Sequence, residues 1–98
     1  VLLEFIARPD GMERRSSVDA LTALKSSKAL PLIRVMAQKD AEVGPRTTAI
    51  LALGIYADKD SAPMLEEIIR NKNNHPDIRR AAFMAYRKIA ETYPDIAR

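Results

Sequence analysis

A chain of 98 residues has room for one domain, whose single core buries about two-thirds of the surface the unfolded chain exposes. Apolar residues at 47%, charged residues at 30% and three glycines exclude a disordered or fibrous chain, and 16 basic against 13 acidic side chains, interspersed to a net +3, are too weakly basic for a dedicated nucleic-acid face. With no cysteine there is no disulfide, thiolate nucleophile or Cys-containing zinc site, and the compartment is left open, while no apolar run approaches the ~18 residues a membrane helix needs.

In chain order, residues 1–7 are apolar but include Glu4 and run into Arg8-Pro9 with no basic leader or small-residue cleavage site, so they read as half of an amphipathic helix and not as a signal peptide. A start inside helical pattern without an initiator Met predicts a piece of a longer protein. Further helices are predicted over about 12–24, 29–39, 45–56, 61–71 and 77–92, separated by turn signals at Pro9-Asp10-Gly11, Gly44-Pro45 and Asn73-Asn74-His75-Pro76. No segment reads as a strand.

These helices repeat. Arg14, Arg46 and Arg79 each precede a small residue by three positions (Ser17, Ala49, Ala82), an Ala by six (Ala20, Ala52, Ala85) and a large residue by seven (Leu21, Leu53, Tyr86), offsets that share one helical face. Pro31 and Pro63 recur in the same register. Proline is tolerated only in the first turn of a helix, so each opens the second helix of its unit, with Ser26 and Asp58 as the expected N-caps. The recurring apolar positions predict one continuous core of Leu21, Leu24, Ile33, Leu53, Tyr56, Leu65, Ile69, Phe83 and Tyr86.

The unit Pro45-Arg46-x-x-Ala49-x-x-Ala52-Leu53-Gly54-x-Tyr56-x-Asp58, continued by Pro63-x-Leu65, resembles the HEAT-like repeat of the phycobilisome-lyase subtype. The resemblance spans nearly the whole chain and implies an all-α fold: an α-solenoid of about three stacked antiparallel helix hairpins. It gives a single domain, 1–98, in which 1–11 is the tail of a preceding repeat, 12–43 and 44–75 are repeats and 76–98 is a partial repeat. The sequence departs from the pattern where Thr22 and Arg87 replace the glycine found at Gly54. The third unit has Ile96 where Pro is expected, with Pro94 two residues earlier.

Such repeats specify a fold and hardly a function. Catalytic chemistry finds no foothold: His75 is the sole histidine and sits in a turn, no serine has a base in helical reach, and the adjacent carboxylates Glu66-Glu67 and Asp58/Asp60 read as surface and capping groups. No enzyme activity, metal or cofactor is therefore expected. Arg14, Arg46 and Arg79 would line one edge of a solenoid and read as structural residues paired with loop carboxylates. Arg79-Arg80 with Arg87-Lys88 reads as a solvated basic face. The second helices in such solenoids line the concave surface, and there Arg34 aligns with Glu66, Val35 with Glu67 and Gln38 with Arg70, so charge changes sign from unit to unit. A groove for nucleic acid would keep one sign to track phosphates. The expected function is a protein-interaction or scaffolding module that meets a protein or peptide partner through Arg34, Gln38, Glu66 and Arg70, without a membrane. Two other readings are kept beside it: a helical repeat that binds nucleic-acid backbone, and an auxiliary subunit resembling the bilin-lyase HEAT proteins.

Overall fold

The computed structural model describes residues 10–97, which form five α-helices and no strand: α1 (Gly11–Ala23), α2 (Leu30–Lys39), α3 (Val43–Ile55), α4 (Ala62–Arg70) and α5 (Pro76–Thr92). Single 3-10 turns cover Lys59–Ser61 and Pro94–Ala97. The helix expected over 1–7 lies outside the described residues, as does most of the expected 1–11 tail. Each of the five expected helices forms, with no end shifted by more than two residues.

Local chemistry explains where they start. The Asp10 carboxylate accepts a bond from the Met12 amide at 2.9 Å, and the His75 Nδ1 accepts one from the Asp77 amide at 3.0 Å. Pro31, Pro63 and Pro76 sit in first turns, where a missing N–H costs nothing. The expected N-caps of the second helices are corrected: Ala29 and Ser61 hold those positions, and neither caps its helix through its side chain. Asp58 instead caps the intervening 3-10 turn, because that extra turn separates it from α4.

α1 and α3 end alike. Lys25 (φ 48) and Ala57 (φ 53) take the left-handed conformation, which lets the amides of Ser26 and Asp58 reach back to the carbonyls of Leu21 and Leu53, both at 3.1 Å. These reversals throw the chain back toward α2 and α4 in the same direction in each unit.

The first helices α1, α3 and α5 make one layer with α3 in the middle; α2 packs against α3 and α4 against α5. The result is a slab with Cα extents of 39 × 29 × 15 Å. Its core is Val18, Leu21, Ile33, Ile50, Leu53, Leu65, Ile68, Ile78 and Ile89, with alanines at the helix crossings. Of the nine expected core residues, Leu21, Ile33, Leu53 and Leu65 are buried, and Tyr56, Ile69 and Tyr86 are half-buried against the core. Leu24 and Phe83 are corrections, at 70% and 51% exposure. Leu24 is the C-cap of α1, past the last turn that faces the core. Phe83 holds the repeat position of Val18 and Ile50, both fully buried; α1 and α3 each have a following first helix to cover that position, whereas α5 is followed only by the Pro94–Ala97 turn among the described residues.

Gly54 shows how close the layers come. A Cβ built on it would lie 2.9 Å from the Ala85 Cα, so α3 and α5 cross at a separation that only glycine permits.

Candidate interaction surface

The arginines that open the first helices are tied into the framework. Arg14 Nε and Nη2 reach the Asp40 carboxylate at 2.9 and 3.0 Å, a bidentate pair. Arg46 Nε donates to the Ala37 carbonyl at 2.9 Å and Arg79 Nε to the Ile69 carbonyl at 3.0 Å. Both therefore cap the last turn of the preceding second helix, where free carbonyls and the negative end of the helix dipole favour a cation.

Arg34 and Glu66 hold equivalent positions and both point into the next unit. Arg34 grips Asp58 through Nε and Nη2, each at 2.7 Å. Burial pushes the Asp58 carboxyl up, but bonds from Arg34 and Ser61, the Arg34 charge and the Asp60 amide outweigh it and hold it below the usual carboxylate range. Glu66 Oε1 accepts from the Tyr86 hydroxyl at 2.8 Å, and that hydroxyl also lies 2.8 Å from the Ile96 carbonyl. The bond to Glu66, followed by partial desolvation, pushes the phenol up. Tyr56 makes the matching tie on the other side, its hydroxyl 2.9 Å from the Ser26 carbonyl and 3.2 Å from that of Leu21.

Of the four residues singled out from the sequence, Gln38 and Arg70 are thus freely exposed, while Arg34 and Glu66 are half-buried and engaged between units. The outer row of the second helices consists of Leu32, Val35 and Gln38 on α2 and Met64, Glu67 and Arg70 on α4. Leu32 and Val35 are 43% and 56% exposed, large apolar side chains that helix formation alone does not cover. Between the two helices lies a groove of about 250 Å³ lined by Gln38, Arg46, Met64, Glu67, Asn71 and Asn74. The amide of Asn74 is committed to the Ile68 carbonyl at 3.1 Å, so it shapes the groove floor. Sequence reasoning placed Val35 and Glu67 in register but passed over them, because the alternation of charge at 34/66 was the louder signal. Asn71 and Asn74 lie in a turn with no periodicity to expose them.

Among the described residues no three His, Asp or Glu side chains converge as metal ligands, and no helix is long and apolar enough to cross a membrane.

Left-handed reversals that end α1 and α3, a first-helix layer, a second-helix layer and side-chain ties that repeat from unit to unit define a helical-repeat protein. Residues 1–87 match the family of HEAT repeats, and the chain belongs to that family. No curated protein and no solved structure matches it.

Proposed function

We propose that the chain is a protein-interaction or scaffolding module, and that its second-helix surface takes a protein or peptide partner. The observation that carries this is the pair Leu32 and Val35, exposed on the same helix as Gln38, which lines the groove with Glu67, while Arg70 is exposed one turn after Glu67. Apolar anchors rimmed by unlike charges suit a peptide with its own mixed pattern better than a phosphate backbone. Arg34 and Glu66 serve this surface from behind, by fixing the spacing of α2 and α4 against the next unit. The likeness of residues 45–65 to the phycobilisome-lyase subtype belongs to the same reading, as a scaffold that meets a client protein; retention of a bilin on mixing would give it chemical content.

Random 12-residue peptides displayed on phage and selected on the chain provide the test. Selected peptides are expected to shift amide resonances of α2 and α4. The double change Val35→Asp with Glu67→Lys should weaken them about tenfold or more, as loss of a central anchor does. Lys25→Glu, in the first inter-helix turn, should leave affinity unchanged. Selected peptides that ignore Val35 and Glu67 but respond to Lys25 would overturn the assignment.

A further inference from the structure

The opposite layer carries a second concavity. A groove of about 330 Å³ runs across α1, α3 and α5, lined by Arg15, Val43, Thr47, Leu51, Arg80 and Met84, with Asp77 at its edge. Arg15, Thr47 and Arg80 occupy one repeat position, each directly following the arginine that opens its first helix. Stacking therefore sets them in a row, guanidinium, hydroxyl, guanidinium, across three successive helices.

Each member of the row has bonding capacity to spare. The Thr47 hydroxyl oxygen is buried and has no hydrogen-bond partner among the described residues, a state that folding disfavours unless something pairs it. Arg15 is exposed and joins none of the ion pairs among those residues. Arg80 has only an exposed contact with Asp77 at 3.5 Å, the kind that water and salt weaken most. Among the described residues Asp77 is the single carboxylate that lines the groove, so cationic charge prevails there. The walls are apolar: Val43 and Leu51 rest on the core, and Met84 is 53% exposed.

We infer that this first-helix groove docks an extended acidic segment of a partner protein, independently of the second-helix surface. Arg15 and Arg80 stand two helix steps apart, roughly 16–20 Å between axes. An extended strand covers that span in about five residues. Side chains alternate along a strand, so the fitting segment carries two Asp or Glu residues four or six apart, one for each guanidinium, with a large apolar side chain at an even offset between them against Leu51 and Met84. Turned about χ1 from its enclosed position into the groove, the Thr47 hydroxyl selects an extended strand over a helix. Extended backbone offers a free N–H or C=O at the middle of the span, whereas a helix has already bonded its own. Two separated cations over an apolar floor also fit a peptide better than a nucleic acid, whose phosphates need a continuous track.

The test uses the whole chain and random 12-residue displayed peptides, counter-selected on the Arg15→Glu/Arg80→Glu variant. Peptides kept by the wild type and lost on the variant should carry paired acidic residues four or six apart around a Leu, Phe or Met. They should bind the variant about tenfold or more weakly. They should also shift the amides of Thr47, Leu51 and Met84. Thr47→Val, which keeps the shape and removes the hydroxyl, should lower their affinity about fivefold while the melting temperature holds or rises. Both arginines are exposed, so circular dichroism should show unchanged helix content in the double variant; if it does not, Arg15→Gln and Arg80→Gln taken singly should each weaken binding. Peptides without the acidic spacing, affinity that survives charge reversal, a Thr47→Val change felt only in stability, shifts confined to the Gln38–Glu67 groove, or tighter binding of a mixed-sequence DNA duplex at this face would each overturn the inference.

Discussion

Asp58 is the residue on which the joint between the first two full units depends. Its side chain is 6% exposed, and it accepts two bonds from Arg34 of one unit while taking the Ser61 hydroxyl of its own. Its folded pKa lies below the unfolded value of about 3.9, so the unfolded chain binds more protons in the interval between them. The stabilisation is therefore complete above about pH 4 and is lost as pH falls through the folded pKa. Urea midpoints measured from neutral pH down to acid should fall steeply at the acid end for the wild type and more gently for Asp58→Asn. The same substitution should cost about 1.5–3 kcal/mol near pH 7, toward the lower side because the Arg34 side chain is 37% exposed and water can solvate what Asp58 leaves behind. An acid limb of unchanged slope in the variant would contradict this account. Nothing in the sequence identified the pairing: the partners are 24 positions apart, and helical periodicity reports that Arg34 is off the core without reporting which neighbouring unit it meets.

At the scale of helices, the crossing of α3 and α5 turns on Gly54. In an isolated helix, Gly→Ala adds about 1 kcal/mol of stability through helix propensity. Here the new methyl would meet Ala85 backbone atoms at 2.9 and 3.3 Å, which cannot rotate away as a long side chain would. Gly54→Ala is therefore expected to destabilise by about 1–3 kcal/mol despite the better propensity, and a lower thermal midpoint would show it. A midpoint raised by the substitution would mean the helices can separate freely. Helix starts were legible because proline announces them, as at Pro31, Pro63 and Pro76, although the caps expected before the first two were misplaced. The ends of α1 and α3 were read to within one residue, but their left-handed closure was not legible, because its positions are filled by Lys25 and Ala57, where a glycine would have been the visible signal. The binding rows were half legible for a related reason. Alignment put Gln38 opposite Arg70, but only packing revealed that Leu32 and Val35 stay outside while Arg34 and Glu66 turn inward.

Across the whole molecule, stability should behave as that of a one-dimensional stack in which each unit is supported by its neighbours. The repeat position held by Val18, Ile50 and Phe83 tests this directly, because its environment changes while its place in the unit does not. Val18 and Ile50 are fully buried beneath a following helix, and Phe83 is half exposed on α5, where the Arg87 guanidinium stands 5.9 Å from its ring. Arg87 also occupies the position that in α3 is Gly54, so a bulky cation stands where close crossing needs no side chain at all. Intrinsic hydrophobicity ranks Phe83 as the costlier loss, since it has more apolar surface to bury than Ile50. Position in the stack ranks them the other way. Ile50→Ala removes a side chain from a closed core and is expected to cost about 2–5 kcal/mol. Phe83→Ala removes one that is only half covered and is expected to cost about 1 kcal/mol or less, mostly through its contact with Arg87. Chemical denaturation of the two variants, fitted with a common slope, decides between the rankings. A Phe83→Ala loss equal to or greater than that of Ile50→Ala would mean that the flank of α5 is covered in solution, and the nearest-neighbour picture of the stack would have to give way to one in which that flank is an interface.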